Sequence, residues 1–163
     1  MHLLIQGEDM ETLYTFSAPV TEHQILEKAV EILESRLVSG DAFTRSNDTK
    51  AFLRCKLGEY EREVFGVMLL NNQHQLIEFN ELFFGTVDSA SVYPREVVKL
   101  VLERNASAVI FAHNHPSGDV TPSQADRRIT ERLKDALALV DVRVLDHIVV
   151  GSDCVSFAER GWL

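Results

Sequence analysis

The spacing of apolar residues changes character along this chain. Residues 22–37, EHQILEKAVEILESRL, place Ile25, Ala29, Ile32 and Leu33 on one face of a helix. Thr21 and Gln24 stand three apart at its start, the spacing of a capping box, and Gly40 closes the helical region. Residues 48–58 predict a second, shorter helix with Phe52, Cys55 and Lys56 spaced along it and Asn47 or Asp48 as its cap.

Near residue 60 the pattern becomes a run, EVFGVMLL, too continuous for a half-exposed element and the right length for a strand buried on both faces. The turn residues NNQHQ bound it, and LIEFNELFFGT is placed to pair back as a hairpin. Pro94 marks a helix start, Val97, Val98, Val101 and Leu102 continue at helical spacing, and the helix should stop near RNAS. AVIFA, residues 108–112, predicts a strand. From about Ser123 the chain turns amphipathic, with Ile129, Leu133, Leu137 and Val140 inward. VRVLDHIVVG predicts another buried strand, and CVSFAERGWL a last short one with a terminal aromatic that docks on the core. Strand, loop, helix, strand is an α/β order, with the polar loop at the edge of the sheet, where functional groups are commonly held.

Length and composition narrow this further. A chain of 163 residues, 45% apolar and 25% charged, suits one packed core rather than two full domains or a disordered chain. The formal charge of −9 opposes a main role in neutralising phosphates. Arg127, Arg128, Arg132 and Lys134 form a local basic strip, but Asp126, Glu131 and Asp135 are interleaved with them, as on a solvated helix face. Nucleic acid is thus a weakly supported partner. Cys55 and Cys154 are too few for a disulfide framework and read as reduced core thiols. No apolar segment approaches the ~18 residues of a membrane helix, and the first residues lack a basic leader, so a soluble cytoplasmic protein is expected.

The candidate chemistry lies in AHNHPSGDVTPSQAD, residues 112–126. In an extended segment His113 and His115 project to the same side and Asn114 to the other. Two imidazoles and the carboxylate of Asp126 match the three protein ligands that catalytic zinc takes while keeping a position open for water. Gly118 and Pro122 allow the loop to fold back. Ser123 and Asp126 also form a capping box by themselves, as do Thr121 and Gln124 with Pro122 at the first helical position. If the second box caps the helix, Ser123 and Asp126 are left for the site. His2, His23 and His74 read as ordinary histidines. His147 follows Asp146 in an apolar strand, so one of the pair points inward, most simply as a satisfied buried polar group.

His113-x-His115, seven residues, Ser123, two residues, Asp126 resembles the JAMM motif of the JAB/MPN metalloprotease fold. With GT…V.PREV upstream and LDHIVVG…SFAERGWL downstream, the wording is similar to the bacterial RadC family over roughly residues 60–163. The resemblance implies an α/β fold of the JAB/MPN, cytidine-deaminase-like type: a mixed β-sheet flanked by helices. It divides the chain into an N-terminal helical segment, 1–59, and a RadC-like JAMM/MPN domain, 60–163. It further implies that His113, His115 and Asp126 bind Zn²⁺, that Ser123 stabilises a developing oxyanion, and that a glutamate beside an early strand is the general base. Glu63 fits that placement; Glu78 and Glu81 on the next strand remain open. The implied activity is zinc-dependent hydrolysis of an amide in a peptide or protein substrate. A noncatalytic binding module of the same fold, associated with DNA-repair or mobile-element proteins, is the alternative. Longer RadC-like proteins carry a helix-hairpin-helix region, but residues 1–60 show no G-x-G hairpin signature.

Overall fold

The computed structural model describes the backbone of residues 2–4 and all atoms of residues 12–85 and 91–163. Thr86, part of the upstream RadC-like wording, and the side chain of His2 lie outside the described residues. The elements in order are β1 (His2–Leu4), β2 (Leu13–Thr15), α1 (Glu22–Ser39), α2 (Ser46–Leu57), β3 (Val64–Leu70), β4 (Leu76–Phe84), α3 (Pro94–Glu103), β5 (Ala108–Asn114), α4 (Gln124–Ala138), β6 (Arg143–Val150) and β7 (Cys154–Ser156). β1 and β2 pair as a small antiparallel ribbon. The other strands form one mixed five-stranded sheet in the order β4-β3-β5-β6-β7, in which only β5 and β6 run parallel.

Strand alternation divides the core into two layers. Val64, Met68 and Leu70 of β3, with Ala108, Ile110 and Ala112 of β5, pack against Leu37 of α1 and Phe52, Leu53 and Leu57 of α2. The intervening residues Phe65, Val67, Leu69, Val109 and Phe111 pack against Val97, Leu100 and Val101 of α3 and Leu133 and Leu137 of α4. Both faces of β3 and β5 are therefore covered, the physical origin of the unbroken apolar runs. The same alternation puts His113 on the α4 side and Asn114 on the α2 side.

The helix starts follow local polar chemistry. The Thr21–Gln24 capping box forms at α1. Its inward stripe is shifted from the expected one, however: Val30, Leu33 and Leu37 contact the core, whereas Ile25 is exposed. At α2 neither Asn47 nor Asp48 caps; the N-cap is Arg45, without a side-chain bond. The Asp41 carboxylate turns the preceding chain by accepting the Phe43 and Thr44 N–H groups, and Asp48 sits in the first turn beside Arg36 and Arg45. In α3, Leu100 rather than Leu102 faces inward. At the chain's end, Trp162 packs edge-on against Phe157 and lies under the Arg127 guanidinium at 4.1 Å. Among the described residues, no helix is long and apolar enough to cross a membrane.

Candidate metal centre

β5 extends two residues beyond the run AVIFA and delivers His113 and Asn114 at the C-terminal end of the parallel β5–β6 pair, where the strand feeds a loop and then α4. This is the crevice in which α/β sheets commonly hold ligands. His115 continues the ladder by donating its N–H to the Val150 carbonyl at 2.8 Å. His113 and His115 consequently project to the same side, with their Nε2 atoms 3.0 Å apart. Gly118, at φ 85°, donates back to the His115 carbonyl and reverses the loop. Its own carbonyl accepts from Ser152 N–H at 2.9 Å. The reversed loop places the Asp119 carbonyl 2.7 Å from His115 Nδ1, which must donate to it. That bond fixes the orientation of the His115 ring, with Nδ1 toward the loop and Nε2 toward the site.

Asp126 approaches from α4. Its Oδ1 is 3.4 Å from His113 Nε2 and its Oδ2 3.4 Å from His115 Nε2. Glu63, at the entrance of β3 and only 7% exposed, stands with Oε1 3.7 Å from His115 Nε2 and 4.0 Å from His113 Nε2. One ligand atom from each of Glu63, His113, His115 and Asp126 falls within 4.8 Å of all the others, making the four a group able to hold a metal ion. The alternative glutamates are committed elsewhere: Glu78 accepts from Arg104 Nε, and Glu81 accepts from the Tyr60 hydroxyl at 2.6 Å.

The electrostatics match a cation site. Burial alone would raise the Asp126 carboxyl, but the neighbouring His113 and His115 imidazoles outweigh it and hold the group far below the ordinary carboxylate range. The bond to Asp126 raises His115 against an opposing burial effect, with smaller contributions from the Asp119 carbonyl and Glu63.

The capping arrangement differs from the one that would free Ser123 and Asp126. Ser123 is the N-cap of α4, accepting the Asp126 N–H at 3.0 Å, while Asp126 Oδ2 accepts the Ser123 N–H at 2.7 Å. Thr121 lies outside the helix, in the preceding turn, where its N–H is held by Asp119 Oδ1 at 2.9 Å. Asp126 therefore caps the helix and faces the histidines with one carboxylate, and Ser123 still borders the cleft. That cleft, about 780 Å³, is also lined by Tyr60, Glu61, Phe65, Val92 and Ile129.

Three further side chains organise the site. Asn114, 2% exposed, accepts the Val64 N–H at 2.7 Å and donates to the Arg62 and Tyr60 carbonyls at 3.0 and 3.3 Å, clamping the segment that carries Glu63. Behind His113, its Nδ1 is 2.8 Å from Nε2 of the fully buried His147, whose Nδ1 is 2.6 Å from the Thr130 hydroxyl. Burial, then the neighbouring His113, drives His147 well below the usual histidine range, so it is neutral. Its neighbour Asp146 is buried as well, accepting from Ser156 Oγ and from the His147 and Ala158 N–H groups.

Comparison with known proteins gives this geometry a family. Residues 43–162 match the model of the RadC-like JAB domain. The chain belongs to that family. A UPF0758 protein of Vibrio cholerae serotype O1 is 75% identical over 142 residues, covering 87% of this chain and 90% of the relative. A second UPF0758 protein from the same organism is 67% identical over 150 residues, covering 92% and 95% of the two chains. A longer UPF0758 protein of Tolumonas auensis is 56% identical over 140 residues, covering 85% of this chain and 62% of the relative. The RadC-like match begins before residue 60 and takes in α2, whose Phe52, Leu53 and Leu57 share a core with the sheet.

Proposed function

We propose that this RadC-like JAB domain is a zinc-dependent amide hydrolase, a metallopeptidase or isopeptidase, with His113, His115 and Asp126 as ligands and Glu63 as general base. The observation that carries the reading is the spacing of the donors. Ligand atoms about 2.0–2.2 Å from a tetrahedral zinc stand roughly 3.3–3.6 Å from one another. The histidine nitrogens are 3.0 Å apart and each lies 3.4 Å from an oxygen of the Asp126 carboxylate, Oδ1 for His113 and Oδ2 for His115, whereas Glu63 lies farther out at 3.7 and 4.0 Å from the histidine nitrogens. That greater distance suits a carboxylate acting through a water rather than completing the ligand set.

Zinc held there would acidify a water and polarise the scissile carbonyl. Glu63 accepts the proton from the attacking water and returns it to the leaving nitrogen, the role for which a carboxylate beside the site is needed. Ser123 Oγ already accepts the Asp126 N–H, so its own hydrogen is available for the oxygen on which negative charge develops. Phe65, Val92 and Ile129 give the cleft an apolar wall that limits water around these groups.

Metal analysis of protein purified without added zinc should give near-stoichiometric zinc, lost in His113→Ala. Glu63→Gln should retain the zinc and lower hydrolysis of a peptide and isopeptide library by about 10²–10⁴-fold. A metal-free wild type, or an unimpaired Glu63→Gln, overturns the proposal.

A further inference from the structure

The polar contacts behind His113 have only one consistent set of donors. Thr130 Oγ1 lies 2.6 Å from the Asp126 main-chain oxygen, a pure acceptor, so the hydroxyl hydrogen is spent there. The 2.6 Å contact between Thr130 Oγ1 and His147 Nδ1 then requires His147 to donate. His147 is fully buried, an environment that disfavours a charged imidazole, so it carries a single ring hydrogen, on Nδ1, and its Nε2 is bare. The 2.8 Å contact to His113 Nδ1 thus requires His113 to donate in turn, leaving its Nε2 as a lone pair directed at Asp126 and His115.

We infer that His147 is a positioning residue for the metal: through a one-way chain, His113 to His147 to Thr130 to the Asp126 carbonyl, it locks His113 in the ligating tautomer before any cation arrives. The chain ends on the backbone of another proposed ligand, so one hydrogen-bonded path joins a histidine on β5 to an aspartate on α4 by way of β6. Packing supports the same orientation. The His147 ring lies tilted on Phe157 at a centroid distance of 4.8 Å and edge-on to Phe65 and Phe111, so it cannot turn without disturbing three aromatic side chains. His115 is oriented in the same sense by the Asp119 carbonyl, which accepts from its Nδ1. Both Nε2 atoms are thereby set toward one point by partners on opposite sides. Orientation of ligating histidines by their other ring nitrogen is a general device of metal sites; here its source is a second, uncharged imidazole.

The inference rests on the metal-site reading, and its test separates the two. Zinc affinity of the full chain is measured at pH 7.5 by competition with a chromophoric chelator for wild type, His147→Phe and His147→Gln. Phenylalanine keeps the ring packing but has no acceptor for His113 Nδ1–H; the glutamine carbonyl can supply one. The expected result is affinity about 10–100-fold weaker in His147→Phe, with most of it recovered in His147→Gln. Equal affinity in the phenylalanine variant and wild type, or equal losses in both variants, overturns the inference while leaving the metal site standing. Failure of wild type to bind zinc overturns the function instead. ¹⁵N spectra of metal-free wild type at pH 8 decide the matter even if His147→Phe does not fold. They should show His113 and His147 protonated at Nδ1 and pyridine-like at Nε2; hydrogen on His113 Nε2 refutes the chain.

Discussion

Replacing Asn114 with alanine tests how Glu63 is held. The native side chain joins β5 to the residues entering β3 by three hydrogen bonds: one from the Val64 N–H and two to the Tyr60 and Arg62 carbonyls. Val64 is fully buried, so its N–H loses its partner and gains no water, a cost of about 1–3 kcal/mol. The carbonyls belong to more exposed residues that water can reach, and each bond lost there costs about 0.5–1 kcal/mol. Together with the small void, Asn114→Ala should destabilise by about 3 kcal/mol, lowering the melting temperature by about 6–12 °C for a chain of this size. Denaturant unfolding measures the free energy, and hydrogen exchange at Val64 measures the local release. Zinc content should stay near-stoichiometric, because the ligands sit on β5, its following loop and α4, while hydrolysis should fall as Glu63 loses its fixed position. A loss below about 1 kcal/mol, or undiminished protection of the Val64 amide, refutes the account of Asn114 as the clamp.

Three other outcomes follow from close contacts and burial. An added Cβ at Gly66 would lie 2.5 Å from Phe79 Cζ, and Phe79 is itself packed on Phe52, so Gly66→Ala should cost about 1–3 kcal/mol in denaturant unfolding. At Gly151 the added carbon would lie 2.6 Å from the Gly118 carbonyl and 2.8 Å from Val120 Cγ1, displacing the loop whose Asp119 carbonyl orients His115. Gly151→Ala should therefore weaken zinc binding about 10–100-fold by chelator competition, and unchanged affinity would disprove that link. Burial pushes the Cys154 thiol up to about 11. At pH 8 roughly one molecule in a thousand then carries the thiolate, so alkylation should be slow in the folded protein and rise toward pH 11. The folded value lies above the unfolded one, so its contribution to stability is full below about pH 8.5 and is lost as pH rises through about 11; rapid labelling at pH 8 refutes this burial.

The parts of the fold that residue patterns expose are those decided within a few positions. The Thr21–Gln24 box, the β3–β4 hairpin and the projection of His113 and His115 to one side each follow from short spacings. What the spacing left open depended on competing local bonds or on partners far along the chain. Thr121 had the right neighbours to cap α4, but Asp119 holds its N–H in the turn. Asn114 could be assigned to the opposite side of β5 but not to the β3 entrance, because nothing between residues 64 and 114 announces that those strands are neighbours. The same holds for His147, which meets His113 only because β6 runs parallel beside β5. A polar Asp-His pair within a strand buried on both faces was the available sign that a network had to satisfy it. Thr130, four residues after Asp126 on α4, was the second.

The double use of Asp126 has a consequence for how the site responds to force or to a partner. Its carboxylate receives the first N–H of the α4 cap through Oδ2 and also faces the histidines, so helix initiation and cation binding would draw on the same carboxylate. By reciprocity of linked equilibria, whatever factor a bound cation adds to the persistence of that first turn is the factor by which fraying of the turn lowers affinity for the cation. A contact that peels Ser123 from the end of α4 would thus release the ion without touching either imidazole.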